Sequence, residues 1–164
     1  TIQVASAAGR REIAIADFFQ GYRVTDLRSD EVIVAITLPK TQPLGVARRL
    51  SQSYKVGKRG TDDISIVAAS YRVDLDAQDR VVAARLAYGG VAATPARAIA
   101  VEGWLVGQPW TEPTVLAAKE QLRSAFTPMN DLRGSADYRN RLVANLFEKF
   151  FVEFAGSEPG GRLG

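Results

Sequence analysis

The chain has 164 residues, of which 46% are hydrophobic, so it is long enough to bury a core without disulfides or metal staples. It contains no His and no Cys, which excludes an imidazole base, a thiolate nucleophile, an iron–sulfur ligand set and an ordinary zinc site. The net charge of +3 arises from 21 basic and 18 acidic residues interspersed along the chain, not from the gathered cations that a nucleic acid requires. Absence of Cys fits a reducing compartment, and cytoplasmic is the expected location. No run approaches the ~20 apolar residues of a membrane span, and TIQVAS lacks the layout of a signal peptide, so neither nucleic acid nor membrane is expected as a partner.

Along the chain, Ile2 and Val4 alternate with polar neighbours, Ala8-Gly9 reads as a turn, and Glu12 to Ile15 resumes the extended pattern. The first residues read as a strand already in progress, and the chain is expected to be cut from something longer. Phe18, Phe19 and Tyr22 are expected to wedge this segment against a sheet. Glu31 to Leu38 is a β-branched strand stopped by Pro39. After the loop Lys40 to Gly45, extended runs at Val46 to Lys58, Ile64 to Leu75 and Arg80 to Tyr88 form a meander. Asp76-Ala77-Gln78-Asp79 supplies a hairpin turn, and Val82, Ala84 and Leu86 alternate along the last run.

Near residue 93 the pattern changes from strands to helices. Thr94-Pro95 offers an N-cap and a first-turn proline, with Ile99, Trp104 and Leu105 as an apolar side and Gly107 as the stop. Thr111-Glu112-Pro113 repeats the device ahead of Val115, Leu116, Leu122 and Phe126, with Pro128 closing the helix. Ser135 caps the longest helix, where Tyr138, Leu142, Val143, Leu146, Phe150 and Phe154 recur at three- and four-residue steps. The predicted class is α+β: an antiparallel β-meander followed by three helices packed on one face. The tail from Gly156 is expected to be disordered.

Four segments carry a family resemblance: FFQGYRVTDL (18–27), YKVGKRGTDDIS (54–65), YGGVAATPARA (88–98) and MNDLRGSADYRNRLVANL (129–146). Together they resemble the FAD subunit of bacterial xanthine dehydrogenases, molybdenum hydroxylases, over nearly the whole chain. The fold this implies is that of the CO dehydrogenase flavoprotein C-terminal domain. The resemblance implies that residues 1–45 are the end of the FAD-binding subdomain with a connecting strand, 46–155 the C-terminal α+β domain, and 156–164 a tail. It implies FAD as cofactor, held largely by an N-terminal half, and NAD as acceptor. A molybdenum cofactor and iron–sulfur clusters would reside in partner domains or subunits, and the fragment alone would be inactive.

The site residues come from the same resemblance. On the residues alone, Asp62-Asp63 reads as a solvated turn, since neighbouring carboxylates on a strand point to opposite faces and no third ligand is nearby. The resemblance implies instead that one of them sets the potential beside the flavin while Ile64 makes apolar contact there. Lys55 reads either as a surface lysine or, by the same match, as a cation at the pyrimidine side of the ring. Ile33 reads either as core or as a residue against the flavin. No catalytic residue or metal ligand is implied in this chain. Tyr88-Gly89-Gly90 reads as a tight exit from a strand, because a phosphate nest usually opens directly into a helix. A carbon monoxide or aromatic-heterocycle dehydrogenase medium subunit, and a non-enzymatic interaction domain, are the alternatives.

Overall fold

The computed structural model describes residues 1–40, 43–59 and 63–155, which divide into two compact units, Thr1–Gln42 and Pro43–Gly164. The expectation of a disordered tail, and Asp62 with it, lies outside the described residues.

In the first unit, β1 (Ile2–Ser6) pairs antiparallel with β2 (Gly9–Ile13), as their alternation requires. The single-turn α1 (Ile15–Phe18) leads into β3 (Phe19–Gly21) and β4 (Val24–Thr25), so Ile15 opens a helical turn and does not continue the strand. The β-branched run gives β5 (Val32–Ile36), which pairs with the other side of β1. Ile2, Val4, Ile13 and Phe18 form a small core with Leu27 against it, whereas Phe19 and Tyr22 are exposed. A polar anchor completes this unit. Arg11 Nε and Nη2 donate to the two oxygens of Glu31 (2.7 and 2.8 Å), and Arg11 Nη1 donates to Asp26 (2.6 Å). These donors and the Arg28 N–H hold the Glu31 carboxyl down to about 2.

The second unit contains an antiparallel sheet in the order β6-β7-β8-β9, formed by β6 (Arg48–Val56), β7 (Val67–Leu75), β8 (Val81–Gly89) and the short β9 (Ala96–Arg97). Period-two alternation sends Leu50, Tyr54, Ala69, Tyr71, Val73, Leu86 and Tyr88 inward, and Ser51, Ser53, Lys55, Ser70 and Arg85 outward. A register shift between Asp74 and Leu75 pairs Leu75 with Val81, so Val81 is buried and Val82 only half-buried. Asp76 Oδ1 accepts the N–H groups of Gln78 and Arg80 (2.9 and 2.8 Å), which fixes the intervening hairpin.

Helices α2 (Ile99–Leu105), α3 (Glu112–Leu122) and α4 (Ala136–Ala155) follow, and the unit is α+β with these helices on one face of the sheet. The first begins four residues after the Thr94-Pro95 signal. Ala96 and Arg97 instead pair with β8, and Ala98 N donates to Leu86 O at 3.0 Å, covering the open sheet edge. Val101 and Leu105 are the inward residues of α2 while Ile99 is exposed, and Gly107 adopts φ +82° just past its end. Thr111 precedes α3 without a side-chain bond to the helix N–H groups, and Ser135 Oγ accepts Tyr138 N (3.2 Å) at the start of α4. Tyr71 sits at the centre of the core, its ring 5.4 to 5.8 Å from those of Tyr54, Tyr88, Phe147 and Phe150. No described helix is long and apolar enough to cross a membrane.

Candidate functional site

Of the four sequence-derived site residues that are described, three, Lys55, Asp63 and Ile64, lie in the second unit, at one end of its sheet. Lys55 is exposed on β6, in register with Ala68 of β7, which is in register with Gly89 of β8. Those small residues, with Ser53, Ser70, Ala87 and Pro95, line a shallow concavity on the face opposite the helices. One residue past Lys55 the chain leaves the sheet, and it returns through Asp63 and Ile64 to Ile66, whose N–H donates to Val56 O at 2.7 Å.

This connection is shaped by its own carboxylate. Asp63 Oδ1 accepts the Ile64 N–H (2.9 Å), and Oδ2 accepts the Arg59 N–H (3.2 Å). The negative charge is thereby held in a turn, with Ile64 beside it 63% exposed. An isoleucine so exposed next to a fixed carboxylate offers an apolar contact and a local potential at the same place. Asp62, the other half of the pair, lies outside the described residues. Ile33 belongs to the first unit, on β5, in register with Val4; it is 47% exposed and so is not core within this chain.

The Tyr88-Gly89-Gly90 exit has the role its sequence suggests. Gly90 has φ +80°, and a Cβ there would lie 2.4 Å from Ile66 O, so any side chain would collide with the return segment. Tyr54, Tyr71 and Tyr88 do not offer a base, because burial raises each phenol well above its ordinary value. Sequence reasoning missed Arg139, a buried cation in the first turn of α4. Its Nη1 donates to the carbonyls of Ile66 and Gly90, and its Nη2 to Asp131 Oδ1 at 2.7 Å. It also missed Glu102, 4% exposed, which accepts the N–H of Leu86 (2.8 Å) and Arg97 Nε (3.0 Å). Arg139 falls within the 129–146 segment already notable for its sequence, but a helical position with polar flanks carries no signal of burial.

Residues 52–154 match the CO dehydrogenase flavoprotein C-terminal domain, and residues 1–41 match the FAD binding domain in molybdopterin dehydrogenase. The chain is 37% identical over 151 residues to xanthine dehydrogenase of Blastobotrys adeninivorans, covering 87% of this chain and 10% of that protein. It is 31% identical to the glyceraldehyde dehydrogenase medium chain of Sulfolobus acidocaldarius, covering 94% of this chain and 53% of the relative. Carbon monoxide dehydrogenase from Hydrogenophaga pseudoflava superposes with a TM-score of 0.78 at 29% identity, over 90% of this chain and 50% of that one. The chain thus spans about half of the glyceraldehyde dehydrogenase medium chain and of the carbon monoxide dehydrogenase chain, and a tenth of the xanthine dehydrogenase. With a four-stranded antiparallel sheet backed by helices on one face and family matches along nearly its whole length, the chain belongs to the FAD-binding flavoproteins of the molybdenum hydroxylase family.

Proposed function

We propose that this chain is part of the FAD subunit of a xanthine dehydrogenase, where it borders the flavin as electrons pass from iron–sulfur clusters through FAD to NAD during purine oxidation. The observation that carries the reading is the 37% identity to a xanthine dehydrogenase over 87% of the chain. Residues 1–45 would close the FAD-binding subdomain and 46–155 would form the C-terminal domain. The molybdenum subunit, the iron–sulfur domain and the N-terminal FAD-binding half are the partners this reading requires. Cytoplasmic location follows from the same reading.

The exposed residues of the second unit suit one edge of a flavin ring, and Ile33 of the first unit is a separate apolar contact in this reading. Ile64 and Ile33 are exposed isoleucines, and Lys55 is an exposed cation beside a floor of small side chains. FAD, when bound, supplies the exchange of electrons between one-electron and hydride carriers. Lys55 would stabilise negative charge at the pyrimidine side of the ring, which favours its reduced form. The Asp63 carboxylate, and Asp62 next to it in sequence, would oppose that charge and lower the potential, which favours hydride passage to NAD. Ile64 and Ile33 would exclude water from the ring.

The test is the complete assembly, supplied with xanthine and assayed in parallel with NAD and with an artificial dye. Xanthine-dependent NADH formation is the expected result. Dye reduction with glyceraldehyde and none with xanthine would move the chain to the aldehyde-oxidising group, a reading favoured by the match over half of the glyceraldehyde dehydrogenase medium chain.

A further inference from the structure

The segment 130–139 grips the connection that carries Asp63 and Ile64 at both of its described ends. At the near end, Lys58 Nζ donates to Leu132 O at 2.6 Å. At the far end, Arg139 Nη1 donates to Ile66 O and, at 2.9 Å, to Gly90 O. The two grips are joined, because Arg139 Nη2 also donates to Asp131 Oδ1 at 2.7 Å, one residue from Leu132. Asp131 is fixed in turn by the N–H groups of Arg133 and Gly134 (2.9 and 3.0 Å). The segment is tied to α4 by Asn130 Oδ1, which accepts Ala136 N at 2.7 Å. Arg139 is 5% exposed, so its guanidinium is committed to this arrangement and not to solvent.

A guanidinium is not needed merely to fill such a place. Burying it costs desolvation, and an apolar side chain of similar volume is often as stable. What it adds is direction: planar donors aimed at two carbonyls and a carboxylate from one rigid helix turn. The two carbonyls belong to the return segment after Ile64 and to the glycine exit beneath it. A small rotation of α4 or a change at Asp131 would therefore be transmitted to the Ile64 side chain and the Asp63 carboxylate.

We propose that Arg139 is a positioning residue for electron delivery at the flavin: with Asp131 and Lys58 it latches the Asp63–Ile66 segment in register without touching the cofactor. The inference rests on the reading of that segment as flavin-facing. It assigns a function to the conspicuous 129–146 stretch, which is otherwise distant in sequence from the site.

The experiment uses the complete flavin-loaded enzyme carrying Arg139→Lys, Arg139→Met or Lys58→Met, with Val143→Ala as a control for general loosening of α4. Lys58 is exposed, so Lys58→Met is expected to fold even where an Arg139 variant does not. Amide exchange in the peptide spanning Asp63–Ile66 should rise by roughly tenfold in the latch variants and far less in Val143→Ala. The flavin potential should shift and KM for NAD should rise, while dye-linked substrate oxidation keeps its kcat. Arg139→Lys should recover part of the exchange protection relative to Arg139→Met. Unchanged exchange in Lys58→Met and in every folded Arg139 variant overturns the latch, whatever the flavin does. Raised exchange with an unaltered flavin potential and NAD kinetics overturns the positioning role, and the failure then lies with the flavin-facing reading of the loop.

Discussion

The Asp63 carboxylate accepts two backbone N–H groups of its own loop, so Asp63→Asn removes the charge while leaving one acceptor oxygen to hold the turn. In the complete enzyme, that loss of negative potential is expected to raise the flavin potential by an amount on the order of tens of millivolts. NAD reduction should slow, and dye-linked oxidation at molybdenum should survive. Redox titration beside parallel NAD and dye assays is the measurement, and an unmoved potential with an unmoved NAD rate would make the segment an ordinary turn. Asp131 permits a separate test that needs no cofactor. Arg139, then the N–H groups of Arg133 and Gly134, lower its carboxyl from 3.8 to about 2. Because the folded value is the depressed one, its contribution to stability is complete above the unfolded value and is lost as pH falls through the folded one. The Tm difference between the native chain and Asp131→Asn should therefore be constant near neutrality and shrink between about pH 4 and pH 2. A difference that stays constant through that window would show that this carboxylate is not linked to folding.

At the scale of elements, the long helix α4 packs against β6 and β7. Phe150 is fully buried, with ring centroids 5.4 Å from Tyr71 and 6.0 Å from Trp110. Phe150→Ala should accordingly cost about 3–5 kcal/mol in chemical denaturation, the range for deleting a buried aromatic ring. A loss below roughly 1 kcal/mol would mean that the helix packs elsewhere. This helix was legible in advance because twenty residues of apolar spacing outweigh local exceptions. The start of α2 was not. Thr94-Pro95 carries a strong local signal for a helix start, but β8 has an edge to be covered, and Ala96-Arg97 satisfies those backbone groups. The gain there is tertiary and invisible to a window of neighbours. Val82 is misread for a similar reason, since the one-residue irregularity opposite Leu75 inverts the alternation at the beginning of β8.

At the scale of the whole molecule, two cores serve two units: Ile2, Val4, Ile13 and Phe18 in one, and the cluster around Tyr71, Phe147 and Phe150 in the other. The sequence announced the class of fold through its strands-then-helices order. The proposed site rests on resemblance, because Lys55, Asp63 and Ile64 are individually ordinary: an exposed cation, a carboxylate that holds its own turn and an exposed isoleucine. Their exposure also bears on affinity. A dinucleotide usually draws much of its binding from backbone N–H groups cradling the pyrophosphate, whereas the residues proposed here would serve the ring edge. The chain covers about half of the glyceraldehyde dehydrogenase medium chain and of the carbon monoxide dehydrogenase chain, and its residues 1–41 match a FAD binding domain. Residues 1–164 expressed alone should therefore fold cooperatively, with the aromatic core reporting a single main transition, and yet purify without colour. Thermal melting followed by near-ultraviolet dichroism checks the first half of that expectation, and flavin absorbance after incubation with excess FAD and gel filtration checks the second. Stoichiometric retention of FAD by the isolated chain would mean that it holds the pyrophosphate as well as the ring, and the division of the flavin site proposed here would be wrong.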